Sequence, residues 1–297
     1  MSEITLFNDT EHTFTCVLSS INAANWNQIK GTDKVYWSTI FLDCIAAEFI
    51  QKAKGVPGLE KAVRFTEKSR ALGLGLCGLH TYFLQEGIPF ESFEAHRLNM
   101  DIQYEIDKES LRASKDLAEI FGEPEWCKGL GVRNSHRMAI APTKSTAALL
   151  GGVSEGINPD PAMVYTQTTA AGEVPRVNPV FLKVLKKYNR YDKSTLRQIQ
   201  DANGSVQGLD FLSEDEKLLF RTAFEMDQSA ILRMASGRAR YLDQWQSLNL
   251  FFSADEDPAY IAKIHQQAFE DESILGLYYV YTQAGVQASK EECLACQ

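Results

Sequence analysis

The chain closes on EECLACQ, a C-x-x-C pair in which two residues separate Cys293 from Cys296. The stretch before it, TQAGVQASKEE, is polar, small and broken by Gly285, which predicts a mobile tail. A dithiol on such a tail can carry electrons or ligate a metal. Zinc needs four ligands, and the sequence holds no second C-x-x-C or C/H pair; His12, His80, His96, His136 and His265 are scattered. Thiol–disulfide exchange is therefore the stronger reading. A second candidate is APTKSTAALLG. Pro142 turns the chain, and Thr143, Ser145 and Thr146 stand at the start of a helix, where free N–H groups, hydroxyls and the helix dipole, helped by Lys144, favour an anion. A plain cap by Thr143 or Ser145 fits the same pattern equally well. Without a Walker lysine pattern, such a site would bind a phosphorylated substrate rather than drive NTP hydrolysis.

Other residues have blander readings. Cys16 lies in an apolar strand-like run, where cysteine serves as a small buried hydrophobe, and Cys44, Cys77 and Cys127 carry the same expectation. Tyr278 and Tyr279 in GLYYVYT read on composition as aromatic filling of a strand. GLGLCG, residues 73–78, has the G-x-G-x-x-G spacing of a dinucleotide site. A helical pattern of some length follows it instead of a second strand with a terminal acid, so close helix–strand packing explains the glycines better.

The elements that position these residues alternate. ITLF and TFTCVLSS read as strands. Val35, Tyr36, Trp37, Ile40, Phe41, Cys44, Ile45 and Phe49 recur at helical spacing up to GVPG, and a second helix covers about Leu59 to Ser69. ALGLGL is a short buried strand, GLHTYFLQEG a helix closed by Gly87, and SFEAHRL onward a long amphipathic helix. RMAIA is a strand before the PTKST turn, residues 151–179 read as irregular, and VFLKVLKKY resumes as helix. Capping boxes at Ser213/Glu216 and Ser253/Glu256 open two more helices; SLNLFF and ILGLYYVY are strands. Short buried strands alternating with helices predict an α/β architecture with parallel strands.

Composition bounds the function. The 297 residues are 44% hydrophobic and 23% charged, which suits a globular protein of one large domain or two small ones. A net charge of -9 without a Lys/Arg run argues against a nucleic-acid partner. No apolar stretch reaches bilayer length, and MSEITLFNDTEHT has no signal-peptide pattern, so no membrane partner and a cytoplasmic location are expected.

Taken together, SEITLF, FTCVLSSIN, RALGLGLCGLHTYFL, GVRNS, APTKSTAALLGG, EGINP, GEVPRVNP, YLDQWQSLNLFF, GLYYVYTQ and the cysteine tail resemble the C-terminal portion of the large, catalytic subunit of class I ribonucleotide reductases. The resemblance runs in order over nearly the whole chain. It implies the C-terminal part of a ten-stranded α/β barrel over 1–282, with additional helices, and a flexible redox-active tail over 283–297. It implies reduction of ribonucleoside diphosphates by thiyl-radical chemistry, in deoxyribonucleotide biosynthesis. Cys16 matches one of two active-site thiols oxidised as the ribose is reduced. Pro142, Thr143, Lys144, Ser145 and Thr146 match the loop that holds the substrate's diphosphate, although Lys144 stands where a small or acidic residue is usual. Tyr278 and Tyr279 match a stacked pair that relays a radical, and Cys293 and Cys296 match a tail dithiol that re-reduces the active site.

The same resemblance places Glu3 on the general-base glutamate and Met1 where the radical-bearing cysteine would stand. That cysteine, the other redox thiol and the allosteric nucleotide sites are then expected upstream, which predicts one chain of a split catalytic subunit, active only with its N-terminal half. Neither a metal site nor a cofactor is implied for this chain. Its expected partners are that half, a small subunit carrying the radical metallocofactor, thioredoxin or glutaredoxin, and the nucleotide. A non-catalytic phosphate-binding barrel fragment and a stand-alone dithiol oxidoreductase are the alternatives.

Overall fold

The computed structural model describes residues 2–169 and 172–283. In chain order it runs β1 (Leu18–Asn22), α1 (Trp26–Ile29), α2 (Lys34–Ala53), α3 (Glu60–Ser69), β2 (Gly73–Cys77), α4 (Leu79–Glu86), α5 (Phe93–Phe121) and α6 (Lys144–Leu149). Then come β3 (Val164–Thr169), β4 (Gly172–Val177), α7 (Pro179–Lys187), α8 (Lys193–Asp201), α9 (Glu214–Leu219), α10 (Gln228–Ala239), β5 (Leu250–Phe252), α11 (Pro258–Glu270) and β6 (Val280–Thr282). β1 pairs in parallel with β2, and β5 with β6. Parallel bridges Leu74–Met138 and Ile140–Gln246 join the two pairs through residues 138–140. Five extended segments thus lie side by side in the order β1, β2, 138–140, 246–252 and β6. Helical crossovers connect them, as parallel neighbours require. This is part of an α/β barrel wall.

Glycine makes the wall possible where the chain approaches itself. All five residues of β2 are buried. A Cβ on Gly75 would fall inside contact distance of the Ala139 carbonyl oxygen and 2.9 Å from Ile140 Cα. The GLGLCG glycines therefore permit close packing, here mainly between neighbouring strands. Gly78 and Gly87 bracket α4 in the left-handed conformation that glycine adopts at little cost.

One core lies between the five segments and helices α2, α4, α5, α10 and α11; it includes Leu42, Leu74, Phe83, Ile106, Ile140, Leu248 and Phe252. A second gathers Met163, Phe181, Leu185, Ile199, Leu209 and Phe220 around α7 to α9, with Leu84 of α4. Three elements of the wall meet at one carboxylate. Asp43 of α2 accepts from Arg70 Nε (3.0 Å) and Asn134 Nδ2 (3.0 Å) on Oδ1, and from Arg70 Nη2 (2.6 Å) and Arg133 Nε (3.1 Å) on Oδ2. Arg70 also donates to the Asp43 carbonyl at 2.6 Å, from a left-handed backbone position (φ 48°) that ends α3.

Several expectations change. ITLF forms no strand, and of TFTCVLSS only the end enters β1. Cys16 and Cys44 are exposed; Cys77 and Cys127 are buried as expected. Cys16 precedes β1, whose far edge has no partner strand among the described residues, so one side of it stays open. Cys44 sits on the outer side of α2, whose core side is Val35, Thr39, Leu42, Asp43 and Ala46, while Trp37 and Phe41 are more than half exposed. The stretch read as irregular contains an antiparallel hairpin, with Val164 opposite Val177. The Ser213/Glu216 capping box is formed, but the second is not: Asp257 caps α11, and the Ser253 hydroxyl donates to the Glu256 carboxylate instead of accepting from its N–H. Helices α8 and α10 carried no signal that was read. The predicted tail, 283–297, lies outside the described residues except for Gln283. Among the described residues no helix is long and apolar enough to cross a membrane.

Two substitutions test this account by the midpoint of denaturant unfolding. Asp43→Ala strands two guanidinium groups and is expected to cost about 3–5 kcal/mol, with Asp43→Asn costing less. Gly75→Ala, a gain of one methyl, is expected to cost at least about 1–3 kcal/mol by overpacking. A midpoint like the parent's in either variant would contradict the corresponding contact.

Candidate active site

Glu3 is the least conspicuous of the sequence candidates and the most completely enclosed. Its residue is fully buried. The Trp245 N–H donates to its carbonyl (2.9 Å), and the Ser247 hydroxyl donates to Oε2 (2.7 Å), so the strand segment leading into β5 grips both its backbone and its side chain. Oε1 is buried and has no hydrogen-bond partner. A buried carboxylate oxygen without a donor is costly unless something is to be bound or deprotonated there.

Two further candidates lie within electrostatic reach of it. The Cys16 thiol is pushed up from its ordinary value by burial of the sulfur and then by the negative charge of Glu3. Cys16 is nonetheless open on one side, where it joins Thr15, Val17, Leu18, Ile45 and Phe49 around a groove of about 400 Å³. Tyr278 is pushed up to about 12, chiefly by its hydrogen bond with Tyr279, then by burial and by the charges of Tyr279 and Glu3. The rings of Tyr278 and Tyr279 are 4.1 Å apart, centroid to centroid. The backbone holds the pair in place: the Tyr278 N–H donates to the Leu248 carbonyl (2.7 Å) and the Tyr279 N–H to Asn249 Oδ1 (3.2 Å). The two rings are tilted by 50° to each other rather than stacked, and both residues precede β6 instead of filling a strand.

The loop 142–146 follows the third wall segment. Thr143 occupies the cap position of α6 in a left-handed conformation (φ 60°), but its hydroxyl does not cap the helix. It accepts instead from the Gly156 N–H at 2.8 Å. The capping reading of Thr143 and Ser145 is thus overturned, and the first N–H groups of α6 have no side-chain cap. Pro142 is half-buried, while Lys144, Ser145 and Thr146 are exposed. Lys144 acts on Glu155, whose carboxyl is raised by burial and drawn back down by the lysine's charge.

Residues that went unread connect this loop to Glu3. Asn158 donates to the Ser247 carbonyl (3.1 Å) and accepts from the Asn249 N–H (3.0 Å), while Ser247 holds Glu3. The signal for them was available: EGINP and SLN place amides and a hydroxyl in segments that are otherwise apolar and buried, where polar side chains must find partners. The charge of Glu3 thus acts on Cys16 and Tyr278, Tyr279 lies against Tyr278, and the 142–146 loop is tied to Glu3 through 156–158 and Ser247. Met1, Cys293 and Cys296 lie outside the described residues. Among the described residues no group of three His, Cys, Asp or Glu side chains could hold a metal ion.

The coupling of Glu3 to Cys16 is measurable. Alkylation of Cys16, followed by peptide mass spectrometry, should accelerate with a midpoint above the ordinary thiol range, because only the thiolate reacts. Glu3→Gln removes a negative charge that opposes the thiolate, so the midpoint moves down. An unmoved midpoint would mean that the two groups are not neighbours.

The sequence and fold can be placed among known proteins. The family model "Ribonucleotide reductase, barrel domain" matches residues 2–129 and 124–280. A frog virus 3 protein bearing a ribonucleoside-diphosphate reductase large subunit name is 35% identical over 308 residues, covering 100% of this chain and 54% of the relative. The ribonucleoside-diphosphate reductase large subunit of Invertebrate iridescent virus 6 is 33% identical, over 97% of this chain and 30% of its own length. The class Id ribonucleotide reductase alpha subunit of Actinobacillus ureae superposes with a TM-score of 0.89 at 35% identity, over 95% of this chain and 52% of that one. The chain thus spans about half the length of such relatives or less. It belongs to the ribonucleotide reductase barrel-domain family.

Proposed function

We propose that this chain supplies the C-terminal portion of the catalytic barrel of a ribonucleoside-diphosphate reductase. The observation that carries the reading is the Glu3 carboxylate: buried, oriented by Ser247 and Trp245, left with one oxygen without a hydrogen-bond partner, and acting by its charge on Cys16 and Tyr278. Among the described residues no strand pairs with the outer edge of β1 or of β6, so the remaining strands of the barrel come from further polypeptide. That polypeptide also brings the radical cysteine, the second redox thiol and the nucleotide effector sites.

Each residue then has a task. The first turn of α6, with Ser145 and Thr146, holds the substrate diphosphate, and Lys144 adds a positive charge there. Thr143 braces the loop against Gly156. Glu3 takes the proton of the 3′-hydroxyl after the 3′-hydrogen has been abstracted, and the 2′-hydroxyl leaves as water. Cys16 and its partner thiol supply two electrons and become a disulfide. The raised thiol keeps Cys16 protonated until its proton is needed. Tyr278 and Tyr279 pass the oxidising equivalent inward from the small subunit, which bears the radical metallocofactor. Cys293 and Cys296 reduce the disulfide and are reduced in turn by a thioredoxin- or glutaredoxin-like protein. A cytoplasmic setting suits this thiol chemistry.

The test is nucleoside diphosphate reduction by the complete enzyme. Glu3→Gln should lower kcat by about 100-fold or more with KM little changed, as for loss of a general base. Parent-like turnover in that variant would remove the basis of the reading.

A further inference from the structure

The aromatic contact at β6 does not end with the pair. Tyr279, just before β6, and Tyr281 within it are two residues apart, and their rings lie together. Their ring centroids are 5.6 Å apart, against 4.1 Å for Tyr278 and Tyr279, so three phenols form an unbroken row. Tyr281 then lies flat against the buried Phe251, at 5.3 Å and 16°, and Phe251 is edge-on to Phe224. Stacking on Phe251 needs only a ring. Tyr281 is 39% exposed, and its phenol is pushed up by burial and then by the charges of Glu155 and Tyr279.

We propose that Tyr281 is a third redox-active phenol, exchanging the oxidising equivalent with Tyr279. The inference rests on the reading of Tyr278 and Tyr279 as a radical relay. In the exchange the Tyr281 O–H bond breaks, and its electron and proton pass to the Tyr279 phenoxyl oxygen, where a new O–H bond forms. Tyr279 is reduced to the phenol and Tyr281 is oxidised to the phenoxyl radical. No outside reactant is consumed; the oxidant that first generates the Tyr279 radical is the small subunit's one-electron oxidant. Reactant and product are chemically alike, so the exchange is close to thermoneutral, and only the surroundings bias it. The Glu155 carboxylate and the Phe251 face are those surroundings. Through Glu155 the bias is linked to Lys144 in the loop 142–146, since the lysine acts on the same carboxylate.

The experiment places 3-aminotyrosine, which is more easily oxidised than tyrosine and traps a passing radical, at position 279 or at position 281 of the complete enzyme. Small subunit and nucleoside diphosphate are added, and the aminotyrosyl radical is read by electron paramagnetic resonance. A radical signal of comparable amplitude is expected at each position, and the signal at 281 should fall to baseline when Tyr279→Phe is added. A signal at 279 with none at 281 overturns the inference and leaves the relay standing. Signals at neither position overturn the relay, and this inference with it. A signal at 281 that survives Tyr279→Phe, or that occurs when position 279 gives none, also overturns it, since Tyr279 is then not the exchange partner. A purely packing role for Tyr281 would give no radical at 281.

Discussion

A carboxylate enclosed by two guanidinium groups and an amide has no tolerable alternative to them, and at Asp43 that constraint sets the geometry of the barrel wall. It projects from α2, and the groups it collects come from the junction of α3 and β2 and from the segment leading into residues 138–140. Their relative heights determine the stagger of two neighbouring strands. The loop 142–146 begins where the second of those strands ends, so its position is inherited from an ion cluster outside the site. Buried ion pairs add little net stability over apolar packing, but losing one member is expensive, which makes such a cluster a registration device.

The site itself is built on a similar logic of few, shared anchors. Ser247 holds the Glu3 carboxylate, Asn158 holds the Ser247 carbonyl, and the Asn249 side chain receives the Tyr279 N–H. One short stretch before β5 therefore positions the candidate base and the tyrosine pair together. A disturbance anywhere in it reaches both, so proton handling and radical handling cannot be tuned independently.

Most of the architecture was legible because β2, α4, α5 and α7 carry unmistakable periodicity and punctuation, such as Gly87 after α4. The faces were harder to read. α2 is apolar nearly all round, so spacing identifies a helix without telling that Leu42 and Ala46 face inward while Trp37 and Phe41 face out. The 164–177 hairpin is hard to read because Gly172 and Pro175 break up its second strand, and pairing between two segments leaves no local mark. Cys16 followed its apolar neighbours on paper, but burial there depends on a strand beyond the edge of β1. In the site, resemblance supplied Glu3, Cys16 and the tyrosines, whereas the residues that orient them emerge only from hydrogen bonds between distant segments.

The crossover between the third and fourth wall segments, residues 140 to 246, is long enough to contain its own core, and every member of that core's buried set except Leu84 lies within it. Such an excursion is a cooperative unit in its own right. Apart from Leu84 its buried set lies between residues 163 and 220, so that packing does not require the 246–252 segment. The long loop closure that parallel sheets ordinarily impose on folding is thereby shortened, because much of the loop packs on itself, while Ile157, Ala223, Met226 and α10 carry its other apolar contacts into the core of the wall.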